Sequence, residues 1–188
     1  SDVVVSTFGY AFVVFGKNTS FSNIDLLESA SGSQNWGFRI HRGATYISLS
    51  PVGDINADGI DDLIIGPYQA TYSDRTGAGI VYILYGSPKG SSFSNIVLAT
   101  DWVTGTHGFR VFGAAAGDKL GFSVGGGVDI NADGVSDVVI GARYSDPYGR
   151  SDAGAVSVLF GRSSGIWGDI DTANISIDMG FQIFGAAA

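Results

Sequence analysis

Thirteen residues are written nearly twice in this chain: DINADGIDDLIIG from Asp54 to Gly66, and DINADGVSDVVIG from Asp129 to Gly141. Asp129 follows Asp54 by 75 residues, and Gly141 follows Gly66 by the same 75. GAGIVYILYG (77–86) and AGAVSVLFG (153–161) keep that spacing, Gly79 matching Gly154. GFR stands at Gly37 and again at Gly108, and GFQ at Gly180; GYAFVVFG (9–16) is a third copy of the VYILYG run, and the opening SDVVV matches SDVVI at Ser136–Ile140. A repeat of this regularity restricts the fold strongly, because each unit has to bury its apolar face against the next.

The repeat reads as sheets. The last unit holds four strand-like runs, GFSVGGGVDI, DVVIG, GAVSVLFG and GFQIFGA; the middle unit holds YISLSPVGDI, DLIIG, GIVYILYG and GFRVFGA. The first unit shows three, DVVV, GYAFVVFG and GFRIH, so eleven strands are expected in all. Branched and aromatic runs bounded by glycine are strand signals, and the 29 glycines are roughly twice the usual share. No helical periodicity runs beyond about two turns. Four-stranded sheets repeated along a chain are the pattern of β-propeller blades, whereas a two-sheet sandwich would leave the constant offset to accident. The expected fold is therefore all-β, a partial propeller with about two complete four-stranded blades and one incomplete one. The divisions fall at 1–43, 44–116 and 117–188, the extra length over a common blade lying in polar connections such as SPKGSSFSN. Because a ring usually needs 4–8 blades, the chain is expected to be a segment of a longer protein or one piece of an assembly.

The acidic stretches 54–62 and 129–137 carry the chemistry. With Asp54 as position 1, Asn56 is 3, Asp58 is 5, Gly59 is 6, Ile60 is 7 and Asp62 is 9; the second copy gives Asp129, Asn131, Asp133, Gly134, Val135 and Asp137. Oxygen-bearing side chains at 1, 3 and 5 converge when the chain curls, glycine at 6 permits the turn, and the carbonyl at 7 faces inward. Carboxylates held ~4 Å apart repel by about 4 kcal/mol per pair at an effective dielectric near 20. A hard divalent cation removes that penalty, and an all-oxygen set favours Ca²⁺ over Zn²⁺. Two Ca²⁺ sites are expected, with Asp54, Asn56, Asp58, Ile60, Asp62, Asp129, Asn131, Asp133, Val135 and Asp137 as ligands. An EF-hand is excluded, since position 12 is Ile65 or Ile140 rather than glutamate and the flanks are strands. A metal-free Asp/Asn/Gly hairpin turn is the alternative, and two copies in register weigh against it.

FGAAAGDKLGFSV, DINADGVSD, VVIGARYS and GAVSVLFG together resemble the FG-GAP repeat of the integrin α-subunit propeller, over nearly the whole chain. The resemblance implies a Ca²⁺-binding extracellular propeller, secreted or at the cell surface, that binds protein or carbohydrate ligands in adhesion. It departs from that pattern at position 3, where Asn replaces Asp, and at His41 and Arg42, which stand where Phe112 and Gly113 do.

In a meander of four strands, the 1–2 and 3–4 connections share one end and the 2–3 and 4–1 connections the other. The acidic turns are 1–2 connections. The 2–3 loops PYQATYSDRTG and ARYSDPYGRSD place Tyr68, Tyr72, Arg143 and Tyr144 at the opposite end, and such residues are favoured at binding surfaces. Ca²⁺ is then structural and the ligand, a protein or glycan, binds away from it; other blades or neighbouring subunits are the remaining partners. Packing within their own loops is the plainer role for these four side chains.

A formal charge of -8 argues against nucleic acid and anionic membranes, and no apolar stretch approaches the ~20 residues of a spanning helix. There is no cysteine, and neither His41 nor His107 sits in a catalytic motif, so no enzyme activity is expected of this chain. Two further readings stay open: an accessory propeller of a secreted hydrolase or lyase, and a self-assembling surface or filament component. Asn18 and Asn174 open glycosylation-type triplets.

Overall fold

The computed structural model describes residues 3–7, 10–14, 37–41, 46–88, 96–98, 102, 105, 107–164 and 167–186. Asn18 and Arg42 lie outside them. The described chain is all-β apart from 3-10 turns at Pro147–Gly149 and Thr172–Asn174, and no helix in it is long and apolar enough to cross a membrane. It divides into two compact units.

The first unit, Ser1–Thr45 with Pro88–Trp102, holds one sheet. Its strands β1 (Val3–Thr7), β2 (Tyr10–Val14) and β3 (Gly37–His41) run antiparallel, and β7 (Ile96–Val97) joins β3 in parallel. Ala11, Phe12, Phe38 and Ile40 are buried. His41 is half-buried with its ring 5.1 Å from that of Tyr10, a packing role for the residue that replaces a core aromatic.

The second unit, Tyr46–Ser87 with Val103–Ala188, holds two sheets. One is a meander of β4 (Ser48–Gly53), β5 (Asp62–Gly66), β6 (Ile80–Leu84) and β8 (Gly108–Phe112), to whose outer strand β12 (Ile170–Asp171) adds in parallel. The other is β9 (Leu120–Val128), β10 (Asp137–Ala142), β11 (Ala155–Leu159) and β13 (Gly180–Phe184). β9 packs across β4, β5 and β6, so the core lies between the sheets: Val52, Ile64, Val81, Phe109, Leu120 and Ile140 are all within 2 % of full burial. β5 and β6 are apolar without alternation because both of their faces are covered.

All eleven expected strands form, and they group into sheets as expected. β7 and β12 are additions: each is a two-residue strand in the connection before the fourth strand of a unit, pairing with the outer strand of a different sheet. The glycine of GF(R/Q) also gains a reason. A Cβ on Gly37, Gly108 or Gly180 would stand 1.8–1.9 Å from the carbonyl oxygen of Val13, Ile83 or Val158 on the adjacent strand.

β12 is fastened at both ends. Asp169 accepts from the Arg110 main-chain N–H (3.0 Å) and its guanidinium, and Thr172 Oγ1 donates to the Phe112 carbonyl (2.9 Å). Asp171 takes Arg75 in a two-pronged pair, at 3.1 and 2.5 Å. Burial is the largest single influence and opposes the Asp171 charge, but the Arg75 hydrogen bonds, the Ala173 amide and the Arg75 charge together outweigh it and hold the carboxyl below its usual range. The pair is about three-quarters buried, between the exposed and buried extremes, so Asp171→Asn is expected to lower stability by about 1–2 kcal/mol. Urea unfolding at pH 7 measures this. The difference should shrink as pH falls through the depressed Asp171 range, because protonation removes the same pair in the parent protein.

Candidate functional site

The two acidic turns fold alike, atom for atom. In the first, Asp54 Oδ1 accepts from Asp58 N (3.0 Å) and Oδ2 from Gly59 N (2.7 Å); Asn56 Oδ1 accepts from Asp58 N (3.1 Å) and Asp58 Oδ1 from Ile60 N (2.9 Å). In the second, Asp129, Asn131 and Asp133 accept from Asp133 N, Gly134 N and Val135 N in the same pattern at 2.8–3.1 Å. Asn Nδ2 donates to the position-5 carboxylate in both, at 2.9 and 2.8 Å. The glycines at position 6 have φ +88°, and no atom lies within 4 Å of where a Cβ would be, so glycine is needed there for backbone conformation alone. Ala57 and Ala132, at position 4, also hold left-handed φ of 56° and 62°, a strain typical of functional turns.

Position 9 is different in kind. Asp62 and Asp137 are buried, and both oxygens of each accept main-chain N–H groups: Ile55 (2.9 Å) and Gly86 (2.7 Å) for Asp62, Ile130 (2.7 Å) and Gly161 (2.8 Å) for Asp137. Each therefore ties its turn to the end of the unit's third strand. Gly86 and Gly161 are partners of the turns that sequence reasoning passed over; the signal was the glycine closing VYILYG and VSVLFG. Burial pushes the Asp62 carboxyl up to about 7; the amides of Gly86 and Ile55 work against this, and the charges of Asp58 and Asp54 add to it. The side-chain charges acting on Asp62 are thus of its own sign. The ion pairs Arg75–Asp171 and Arg110–Asp169, among the described residues, lie elsewhere.

The first turn is also stitched to the second sheet of its unit. Ser136 N donates to the Asp54 carbonyl (3.2 Å) and Arg162 N to the Ile55 carbonyl (3.0 Å).

The donor set suits a hard cation: per turn, three carboxylates, an asparagine oxygen and main-chain carbonyls, with no sulfur or imidazole. Each carboxylate offers about four lone-pair positions, so the hydrogen bonds above leave acceptor capacity over. Among the described residues no group of three or more His, Cys, Asp or Glu forms a metal cage by itself.

At the other end of the unit, three of the four candidate ligand residues come together around Phe122. Tyr68 lies 5.1 Å from its ring, Tyr144 meets it edge-on at 6.4 Å, and the Arg143 guanidinium sits 5.1 Å above it. A cleft of about 550 Å³ opens there, lined by Tyr68, Lys119, Phe122, Tyr144, Asp146 and Asp152 among others. Tyr72 is placed apart, stacked on Phe112 at 3.6 Å with Arg75 above it.

Comparison with known proteins matches the FG-GAP repeat family at residues 46–84 and 120–159, each match covering an acidic turn and its flanking strands. The chain is 34% identical over 107 residues to Integrin alpha-PS2 of Drosophila melanogaster, covering 56% of this chain and 7% of that protein. It is 32% identical over 140 residues to Integrin alpha-E of Mus musculus, covering 72% of this chain and 10% of the relative. A phosphatidylinositol-glycan-specific phospholipase D of Bos taurus is 31% identical over 112 residues, 60% of this chain and 13% of that protein. The chain thus spans about a tenth of the length of these relatives.

Proposed function

We propose, from the premise that this chain belongs to the FG-GAP repeat family and is integrin α-like, that it is a calcium-braced, non-catalytic binding module. It would act in adhesion outside the cell and meet a protein ligand at the end of the sheets away from its acidic turns. The observation that carries the reading is the identity of the two turns: the same seven side-chain hydrogen bonds recur 75 residues apart, with three carboxylates each and no basic partner among the described residues. Asp54, Asn56, Asp58 and Asp62, with the Ile60 carbonyl, would hold one Ca²⁺; Asp129, Asn131, Asp133 and Asp137, with the Val135 carbonyl, the second. The ion supplies charge neutralisation, and it stabilises the first turn where that turn is bonded to the neighbouring sheet. The cleft beside Phe122 supports the placement of the ligand, having an aromatic wall and both signs of charge.

Calorimetric titration of chelator-stripped protein with Ca²⁺ tests this. Two equivalents are expected; Asp58→Ala should remove one, Asp133→Ala the other, and the double variant both. A stoichiometry untouched by these changes would refute the assignment. The phospholipase D relative supports a second reading, in which such a module accompanies a catalytic domain; the acidic turns of this chain would play the same part in it, and only what the longer protein carries would differ.

A further inference from the structure

Two of the three sheets end in a borrowed strand. β7 pairs in parallel with β3 (Ile40↔Ile96, His41↔Val97), and β12 with β8 (Val111↔Ile170, Phe112↔Asp171). The third sheet ends at β13, which among the described residues has β11 on one side and no strand on the other. Its sequence is similar, GFQIF against GFRVF. Its environment is not: Phe109, Val111 and Phe112 are 1%, 0% and 4% exposed, while Phe181, Ile183 and Phe184 are 40%, 56% and 37% exposed. An apolar edge strand of this kind is a template for strand addition.

The rest of the receiving site is already built. Under β12, the Arg75 guanidinium bonds the Gly113 and Ala114 carbonyls, lies over Tyr72, and takes the Asp171 carboxylate; Tyr72 in turn covers Phe112. Arg150 stands 75 residues on. It donates to the Ala186 carbonyl (3.3 Å) and to Pro147 (3.1 Å), and it lies over Tyr148, whose ring meets Phe184 at 5.3 Å. The aspartate goes with the arginine. The sheet supplied by β12 has Arg75 opposite Asp171, whereas the β1–β2 link contains no arginine and its borrowed strand carries Val97 instead.

We infer that the outer edge of β13 receives, in parallel, the strand-donor connection of another FG-GAP repeat. The donor carries an apolar residue followed by aspartate: the apolar side chain settles opposite Ile183, and the carboxylate pairs with Arg150. The inference is independent of the metal assignment.

A fluorescent peptide with the sequence of residues 167–176 (WGDIDTANIS), titrated into the full chain in calcium buffer, tests it by anisotropy. Saturable binding is expected, weakened about tenfold or more by Ile183→Lys and by Arg150→Glu, as loss of a central apolar contact or of a charge partner should do. A peptide carrying Asp171→Lys should prefer the Arg150→Glu protein to the parent, a reversal that mere loss of folding cannot produce. Ile183 is exposed and Arg150 half-buried, and circular dichroism melts verify the fold of each variant. The inference is overturned if the peptide does not saturate, if a scrambled peptide binds equally, if cross-linking places it on β8, or if β13 is instead closed by a second copy of the chain that the peptide fails to displace.

Discussion

Excess chelator is expected to lower the melting temperature of this protein by on the order of 10 °C. A ligand present at a thousand times its dissociation constant stabilises a fold by about 4 kcal/mol per site, and in a chain of this size each kcal/mol shifts the melt by about 2–4 °C. With two turns contributing, that figure is a floor. The physical origin is the crowding of Asp54, Asp58 and Asp62, and of their counterparts Asp129, Asp133 and Asp137, on turns whose hydrogen bonds come from main-chain amides and an asparagine. Amide dipoles offset part of the repulsion; a bound dication would offset the rest. Scanning calorimetry in Ca²⁺ and in chelator measures the difference, and coincident melts would refute the calcium reading while leaving the fold untouched.

Gly108→Ala abolishes folding or removes more than about 4 kcal/mol, in the range reserved for substitutions with a specific steric cause. The added Cβ would stand 1.8 Å from the Ile83 carbonyl oxygen, and the backbone there has φ +138°. Neither strand can retreat, since β6 and β8 are paired along their whole length and Phe109 and Ile83 are buried on the same core. Gly59→Ala is the matched comparison: φ is +88° but the site is open, so it should lose only about 1–2 kcal/mol, the cost of a left-handed conformation for a residue with a Cβ. Urea denaturation of the pair distinguishes the two causes. If Gly108→Ala unfolded at the same midpoint as Gly59→Ala, the close approach of β8 to β6 would be disproved.

Much of this was readable beforehand because it is local. Alternating and continuous apolar runs between glycines marked β1–β6, β8–β11 and β13, and the order D-x-N-x-D-G marked both turns. What was not readable is the part whose partners lie far along the chain. The approach of Tyr68, Arg143 and Tyr144 to Phe122 needs β5, β9 and β10 in place, and nothing in the spacing of Tyr72 separates it from Tyr68. Yet packing takes the one ring to Phe112 and the other to the cleft.

By itself the sequence determined the repeat, the all-β class and two acidic turns with glycine at the bend, since each rests on side-chain periodicity or on contacts within about nine residues. Only the tertiary structure decided that Ile96–Val97 and Ile170–Asp171 are strands and that Asp62 and Asp137 clamp Gly86 and Gly161. A two-residue strand has no period to detect. Its existence depends on an edge that the chain presents elsewhere, as Arg110 does to Asp169 across 59 residues. The same dependence leaves the edge of β13, close in sequence to a buried one, exposed.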